Sequence, residues 1–286
     1  MKTKKVTRSY YQQQLRKKNK KRLKPLPFWI LILFFSSVFL FSLYKLIVWE
    51  MDNRKIDHIE SDIEEMIDPE LIDDEGELIN PPEDKNSDYW YYVNLPFYDV
   101  DFSKLLKKNK DTVAFIHVND TNINYPVVQT KDNNYYLNHA FDKSVNDAGW
   151  VFLDYRNNIH ALSENTIIYG HGRLNKTVFG SLKDTLSKEW QKKKENYAIF
   201  ISTPQENMVF QIFSIYTIDS ESYYITSAFE SSKAKQDWLS TMKKRNTSSI
   251  NTEVNVQDKI LTLSTCSNNY GGRIVVQAKL IKRQEK

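Results

Sequence analysis

The fold turns on residues 261–277, LTLSTCSNNYGGRIVVQ. A β-rich run ends at Cys266, a short polar loop with two glycines follows, and a second β-rich run opens with Arg273. If the two runs pair as neighbouring strands, the thiol and the guanidinium meet at one sheet end. A cation there lowers the cost of a thiolate and can donate to a developing oxyanion.

Strand-like runs of β-branched and aromatic residues surround this segment at 112–118, 123–128, 150–153, 166–169, 197–202, 208–218, 260–263 and 273–281. Turn pairs such as Asn119-Asp120 and Asn157-Asn158 separate them. Helical patterns are expected at 178–194 and 229–245, and short helical or turn elements at 89–92 and 102–106. Many short strands with few helices point to a mainly β protein whose sheet closes into a barrel, because closure removes exposed edges.

The net charge of +4 hides an asymmetry: residues 1–24 carry eleven Lys and Arg and no acid, which leaves −7 on the remainder. A basic arm on an acidic body argues against a nucleic-acid-binding domain. Residues 28–49 (FWILILFFSSVFLFSLYKLIVW) are apolar except Lys45, which lies near one end where its ammonium can reach the interface. Basic residues before this run and acids after it predict an anchor with a cytoplasmic N-terminus and an extracytoplasmic remainder. The alternative is a cleaved export signal, but the apolar run is long for one and no A-x-A-like site follows. Residues 1–27 are then a basic cytoplasmic segment, 28–49 a transmembrane anchor, 50–88 an acidic stalk that self-repels and stands off from the membrane, and 89–286 the folded domain.

Cys266 is the only cysteine, so no intrachain disulfide forms. A lone extracytoplasmic thiol is a buried structural residue, an intermolecular bridge or a nucleophile. A nucleophile needs a proton partner, normally histidine. Of His58, His117, His139, His160 and His171, the last ends an apolar strand between Gly170 and Gly172, which would let the chain turn and expose the ring. A turn histidine without function has the same pattern, and sequence order does not reveal a spatial pair. No Cys/His cluster has zinc spacing, and no metal or other cofactor is expected.

TLSTC with a downstream Arg, and NTIIYGH at 165–171, resemble the signature of the sortases, class B in particular. TNINYPVVQTKDNNYYLNHAFD at 121–142, GWVFLDYRN at 149–157 and VFGSL at 178–182 resemble that class in the same order, so the likeness covers most of 111–281. It implies an eight-stranded barrel with N-terminal helices and a long helix inserted before the cysteine strand. It also implies Cys266 as nucleophile, His171 as general acid/base and Arg273 as oxyanion or substrate-carbonyl contact. Thr265 matches a position linked to substrate and oxyanion binding. Ser264, Tyr224, Ile225, Asn133, Leu137 and Tyr169 match positions of the peptide groove, although residue type alone would make the Tyr, Ile and Leu ordinary core.

The implied partners are secreted proteins bearing a C-terminal sorting motif of the NPxTx type, an amine of a cell-wall precursor, and the membrane. The loop SNNYGG is shorter than in many class B members, which bears on its substrate contacts. Neither a lid motif nor a second, C-terminal span accompanies the pattern, which argues against the class typical of pilus polymerases. Other readings are a class B-like pilin polymerase using a lysine amine, a cysteine protease on the same scaffold, and a membrane-tethered binding module with an inert thiol.

Overall fold

A computed structural model describes residues 25–219, 221–266 and 272–286, with the backbone alone for residues 25, 26 and 266. The loop after Cys266 and the basic arm lie outside the described residues. The chain divides into two compact units, Met1–Met51 and Asp52–Lys286.

In the first unit the described residues form the opening part of helix α1 (Pro25–Met66). An 18-residue window of that helix has a mean hydropathy of 2.2, and none of it is buried. A run of 22 residues rises about 33 Å as a helix, enough for a bilayer core.

The second unit is built on the strands β1 (Glu70–Ile72), β2 (Glu77–Leu78), β3 (Phe97–Asp99), β4 (Thr112–Val118), β5 (Asn124–Val128), β6 (Phe152–Leu153), β7 (Asn165–His171), β8 (Ala198–Ser202), β9 (Glu206–Asp219), β10 (Ile260–Cys266) and β11 (Gly272–Glu285). Eight of them pair in the order β10-β7-β6-β5-β4-β8-β9-β11, and β11 pairs back onto β10, closing the barrel. Strand β2 adds to the far end of β11, and β1 pairs with β3 in a separate ribbon. The pairs β7–β10 and β5–β6 are parallel and the other pairs of the ring antiparallel.

Alternation fills the interior. Ile116, Val127, Ile167, Phe210, Leu261, Leu263, Val276 and Ala278 are all buried in one core. A second, smaller core lies where helix α2 (Ser232–Arg245) packs on the sheet through Trp238, Leu239 and Met242 against Phe213, Tyr216, Ile260 and Val275. Ser231 caps this helix by accepting from the Ala234 N–H, which sets its start.

Two expectations differ from this structure. Residues 178–194 do not form one helix but two short turns, at Gly180–Leu186 and Lys188–Gln191, because Ser187 sits between them in extended conformation and caps the second. The acidic segment does not stand free as a stalk either. Ile56, Ile59, Ile63 and Ile67 are buried in the main core, and their spacing puts them on one helix face. The acids occupy the other faces, which is why the segment reads as a charge run. Glu60 nevertheless accepts a 2.7 Å hydrogen bond from the Tyr125 hydroxyl.

Candidate active site

The parallel register of β7 and β10 runs from Asn165 opposite Ile260 to His171 opposite Cys266, so both strands end level with one another. Neighbouring strands lie about 4.8 Å apart, which brings the two backbones together at one barrel edge. The antiparallel β10–β11 ladder pairs Ser264 with Val275 as its last rung toward that edge. Two residues further along each strand are Cys266 and Arg273, so the β11 start reaches the same edge.

His171 is held from one side. Its Nε2 lies 2.8 Å from the Leu137 carbonyl oxygen, which only a donor can satisfy, so Nε2 carries the proton. Its Nδ1 is buried with no partner among the described side chains. Burial pushes the imidazole below its usual range, the Leu137 carbonyl offsets part of this, and the Arg173 guanidinium adds to it. The neutral ring therefore keeps an acceptor lone pair on Nδ1.

The glycines around this ring act differently from the sequence expectation. Gly170 and Gly172 are not among the residues of positive φ. Gly170 makes room: a Cβ there would stand 2.7 Å from the Phe179 ring, whereas one on Gly172 would meet Thr265 at 3.4 Å, an ordinary contact. The glycine whose backbone matters is Gly149, at φ +59°, where a Cβ would lie 2.5 Å from the Tyr136 oxygen, 2.8 Å from that of Leu137 and 2.9 Å from His171 Cδ2.

Arg273 Nη1 donates to the Tyr224 hydroxyl at 2.9 Å, and that hydroxyl lies 2.9 Å from Ser264 Oγ. Tyr224 is fully buried. Its short 3-10 turn (Tyr223–Ile225) is pinned by α2, because Trp238 Nε1 donates to the Tyr223 carbonyl at 2.9 Å. The inserted helix thus orients the arginine through a tryptophan and a tyrosine. Thr265, also buried, accepts from the Ile274 N–H at 2.9 Å and ties the ends of β10 and β11.

A family model, the sortase domain, matches residues 116–281. The chain belongs to the sortase family. It is 35% identical to Sortase B of Listeria monocytogenes over 182 residues, covering 63% of this chain and 73% of that protein. Among solved structures it is similar to the Staphylococcus aureus sortase B–substrate complex, with TM-score 0.59, 36% identity and coverage of 63% of this chain and 84% of that one. It is equally similar to a sortase B complexed with triglycine, with TM-score 0.60, 36% identity and coverage of 63% and 85%. These likenesses place it in class B, and the closed eight-stranded barrel agrees with them. It is a sortase-type cysteine transpeptidase, an enzyme that passes an acyl group through a thiol to an amine.

In this sortase several of the remaining candidates have their polar atoms already engaged. Ser264 and Thr265 are both buried, with Ser264 Oγ on the Tyr224 hydroxyl and Thr265 Oγ1 on the Ile274 N–H, and Leu137 contributes its carbonyl to the histidine. Tyr169 donates to Asp154 Oδ2 at 2.9 Å and Asn133 Nδ2 donates to the same oxygen at 3.1 Å. Sequence reading passes over Asp154 and Arg156, although both stand in GWVFLDYRN; an Asp-x-Arg pair bracketing an exposed Tyr155 is the available signal. It also misses Arg173, which donates to Asn53 of α1 and so links that helix to the residue two beyond the histidine.

Proposed function

We propose that this sortase is anchored in a membrane by residues 28–49, that Cys266, His171 and Arg273 carry its chemistry, and that it joins the C-terminal threonine of a cleaved sorting motif to an amine of the cell wall. The observation that carries the reading is the β7–β10 register, which ends with Cys266 beside His171 at the edge where β11 delivers Arg273. Two structural relatives support the partners: one is a substrate complex, the other holds triglycine, a peptide with a free amine.

The Cys266 sulfur attacks the threonine carbonyl carbon of an NPxTx peptide, and its proton passes to His171 Nδ1, the nitrogen left without a partner among the described residues. Negative charge collects on the carbonyl oxygen, where the Arg273 guanidinium, steadied by Tyr224, donates to it. As the tetrahedral adduct collapses, the carbon–nitrogen bond breaks and the departing amine takes the proton back from Nδ1. The resulting thioester is attacked by the acceptor amine, His171 collects that amine's proton, and thiolate leaves as the new amide forms. The Leu137 carbonyl fixes the ring in the tautomer both steps need. A membrane tether on enzyme and substrate raises the effective concentration of each for the other.

The full chain in detergent, given fluorogenic NPxTx pentapeptides with and without triglycine, tests this. Cleavage after the threonine with a Thr–Gly amide as product is expected, and Cys266→Ala abolishes it. Free acid as the sole product in saturating triglycine would overturn the transpeptidation reading in favour of hydrolysis.

A further inference from the structure

The Asp154 carboxylate is wholly buried, yet it receives five donors from three parts of the chain. The Arg156 N–H and Nε each reach Oδ1 at 2.9 Å, and Arg156 Nη2 reaches Oδ2 at 2.7 Å. Asn133 Nδ2 and the Tyr169 hydroxyl complete the set on Oδ2. The same Nη2 also donates to the Ile225 carbonyl oxygen at 3.0 Å. Asn133 is fixed at its other end as well, its Oδ1 accepting from the Tyr155 N–H at 3.0 Å.

Asn133, Tyr169 and Ile225 belong to the loop after β5, to β7 and to the turn before α2, which no ladder joins to one another at these points. We propose that Asp154 and Arg156 are positioning residues for the peptide substrate: a brace that fixes the spacing of Asn133, Tyr169 and Ile225, three walls of the groove beside Arg273. The inference rests on the function proposed above, since it assigns those walls to a sorting peptide.

Chemistry and placement support it. A planar guanidinium grips a carboxylate with two parallel N–H groups and still has donors to spare, which a lysine ammonium cannot reproduce. The Arg156 side chain is 37% exposed while that of Asp154 is 0% exposed, so the pair spans from core to surface at the wall. Burial opposes ionisation of Asp154, but the Arg156 contacts hold its carboxyl below the usual range, so the brace stays charged across the neutral region. Ile225 directly follows Tyr224, the residue that holds Arg273, so a shift of this turn is felt next to the reacting carbonyl.

The test uses the full chain in detergent with R156Q, R156K and the double variant D154N/R156Q. It measures kcat and KM for an NPxTx peptide, the rate of Cys266 alkylation by iodoacetamide, and the melting midpoint. A misplaced wall costs binding, so R156Q is expected to lower kcat/KM about 10- to 100-fold, with the loss in KM and the alkylation rate unchanged. R156K should shift KM in the same direction because the fork is lost. The double variant removes both charges, so its melting midpoint should recover toward wild type while KM stays high. Wild-type KM in R156Q, a fall in kcat and alkylation that tracks melting, or full recovery of KM in the double variant would overturn the brace. A wild-type chain that cleaves no NPxTx peptide overturns the proposed function and the brace together; an active wild type with an indifferent R156Q overturns the brace alone.

Discussion

Replacing Gly149 with alanine perturbs the candidate site from a residue that takes no part in the reaction, through the Leu137 carbonyl and through a Cβ that would lie 2.9 Å from His171 Cδ2. Gly149 sits at φ +59°, a region that costs an ordinary L-residue about 1–2 kcal/mol. The new Cβ would begin 2.5 Å from the Tyr136 oxygen and 2.8 Å from the Leu137 oxygen, so one backbone or the other must retreat toward the 3.4 Å of ordinary contact. The Leu137 carbonyl is the group that holds His171 Nε2 at 2.8 Å. Weakening that bond removes about 0.5–1.5 kcal/mol more. Together these predict about 2–3 kcal/mol of lost stability, or roughly 4–12 °C in the melting midpoint for a unit of this size. Displacing the histidine by an appreciable fraction of an ångström should lower kcat/KM by about 10- to 100-fold. Peptide cleavage and a thermal melt on the same preparation check both figures. A Gly149→Ala variant with wild-type kcat/KM and an unchanged melt would refute the argument that this glycine protects the histidine's orientation.

Three other outcomes follow from the same geometry. Ile63→Ala, on the buried face of α1, should cost about 2–5 kcal/mol by denaturant melt, whereas a detached stalk would make it silent. Tyr224→Phe deletes the acceptor of the Arg273 hydrogen bond, so kcat/KM should fall about tenfold or more, read by peptide cleavage, while the ring keeps its packing. His171 is held below the usual imidazole value of 6.5 by burial and by Arg173, so below that pH the unfolded chain binds more protons than the folded one. Its contribution to stability is thus present above about 6.5 and is lost as pH falls through the lowered folded value. An NMR titration should place its midpoint below that of free imidazole, and Arg173→Gln should move it up.

The barrel is legible in the sequence because strand signals are local. Alternation and β-branching mark β4, β5, β8, β9 and β11 to within a few residues, and Cys266 and Arg273 lie only seven positions apart in the sequence. The histidine is harder. Nothing in the order of His171 and Cys266 predicts a parallel pairing between strands about ninety residues apart; only the ladder brings them level. Local reasoning fails where a residue serves two purposes. The run IDHIESDIEEMI carries its isoleucines at helical spacing among acids, and composition outweighs periodicity, so the segment reads as a stalk where the structure has a docked helix. The glycines beside His171 read as a turn, yet neither has positive φ, and Gly170 leaves space for the Phe179 ring, which only packing reveals. Asp154 and Arg156 are invisible as a unit because their partners come from 133, 169 and 225.

The central claim, that Cys266 carries the acyl group with His171 as its proton partner, is tested most directly by intact-mass analysis of the full chain quenched in acid during turnover of an NPxTx peptide. A mass increase equal to the peptide acyl fragment, mapped to Cys266, absent in Cys266→Ala and discharged by triglycine, is the predicted result. Peptide cleavage with no covalent adduct at any time, or cleavage that persists in Cys266→Ala, would contradict it.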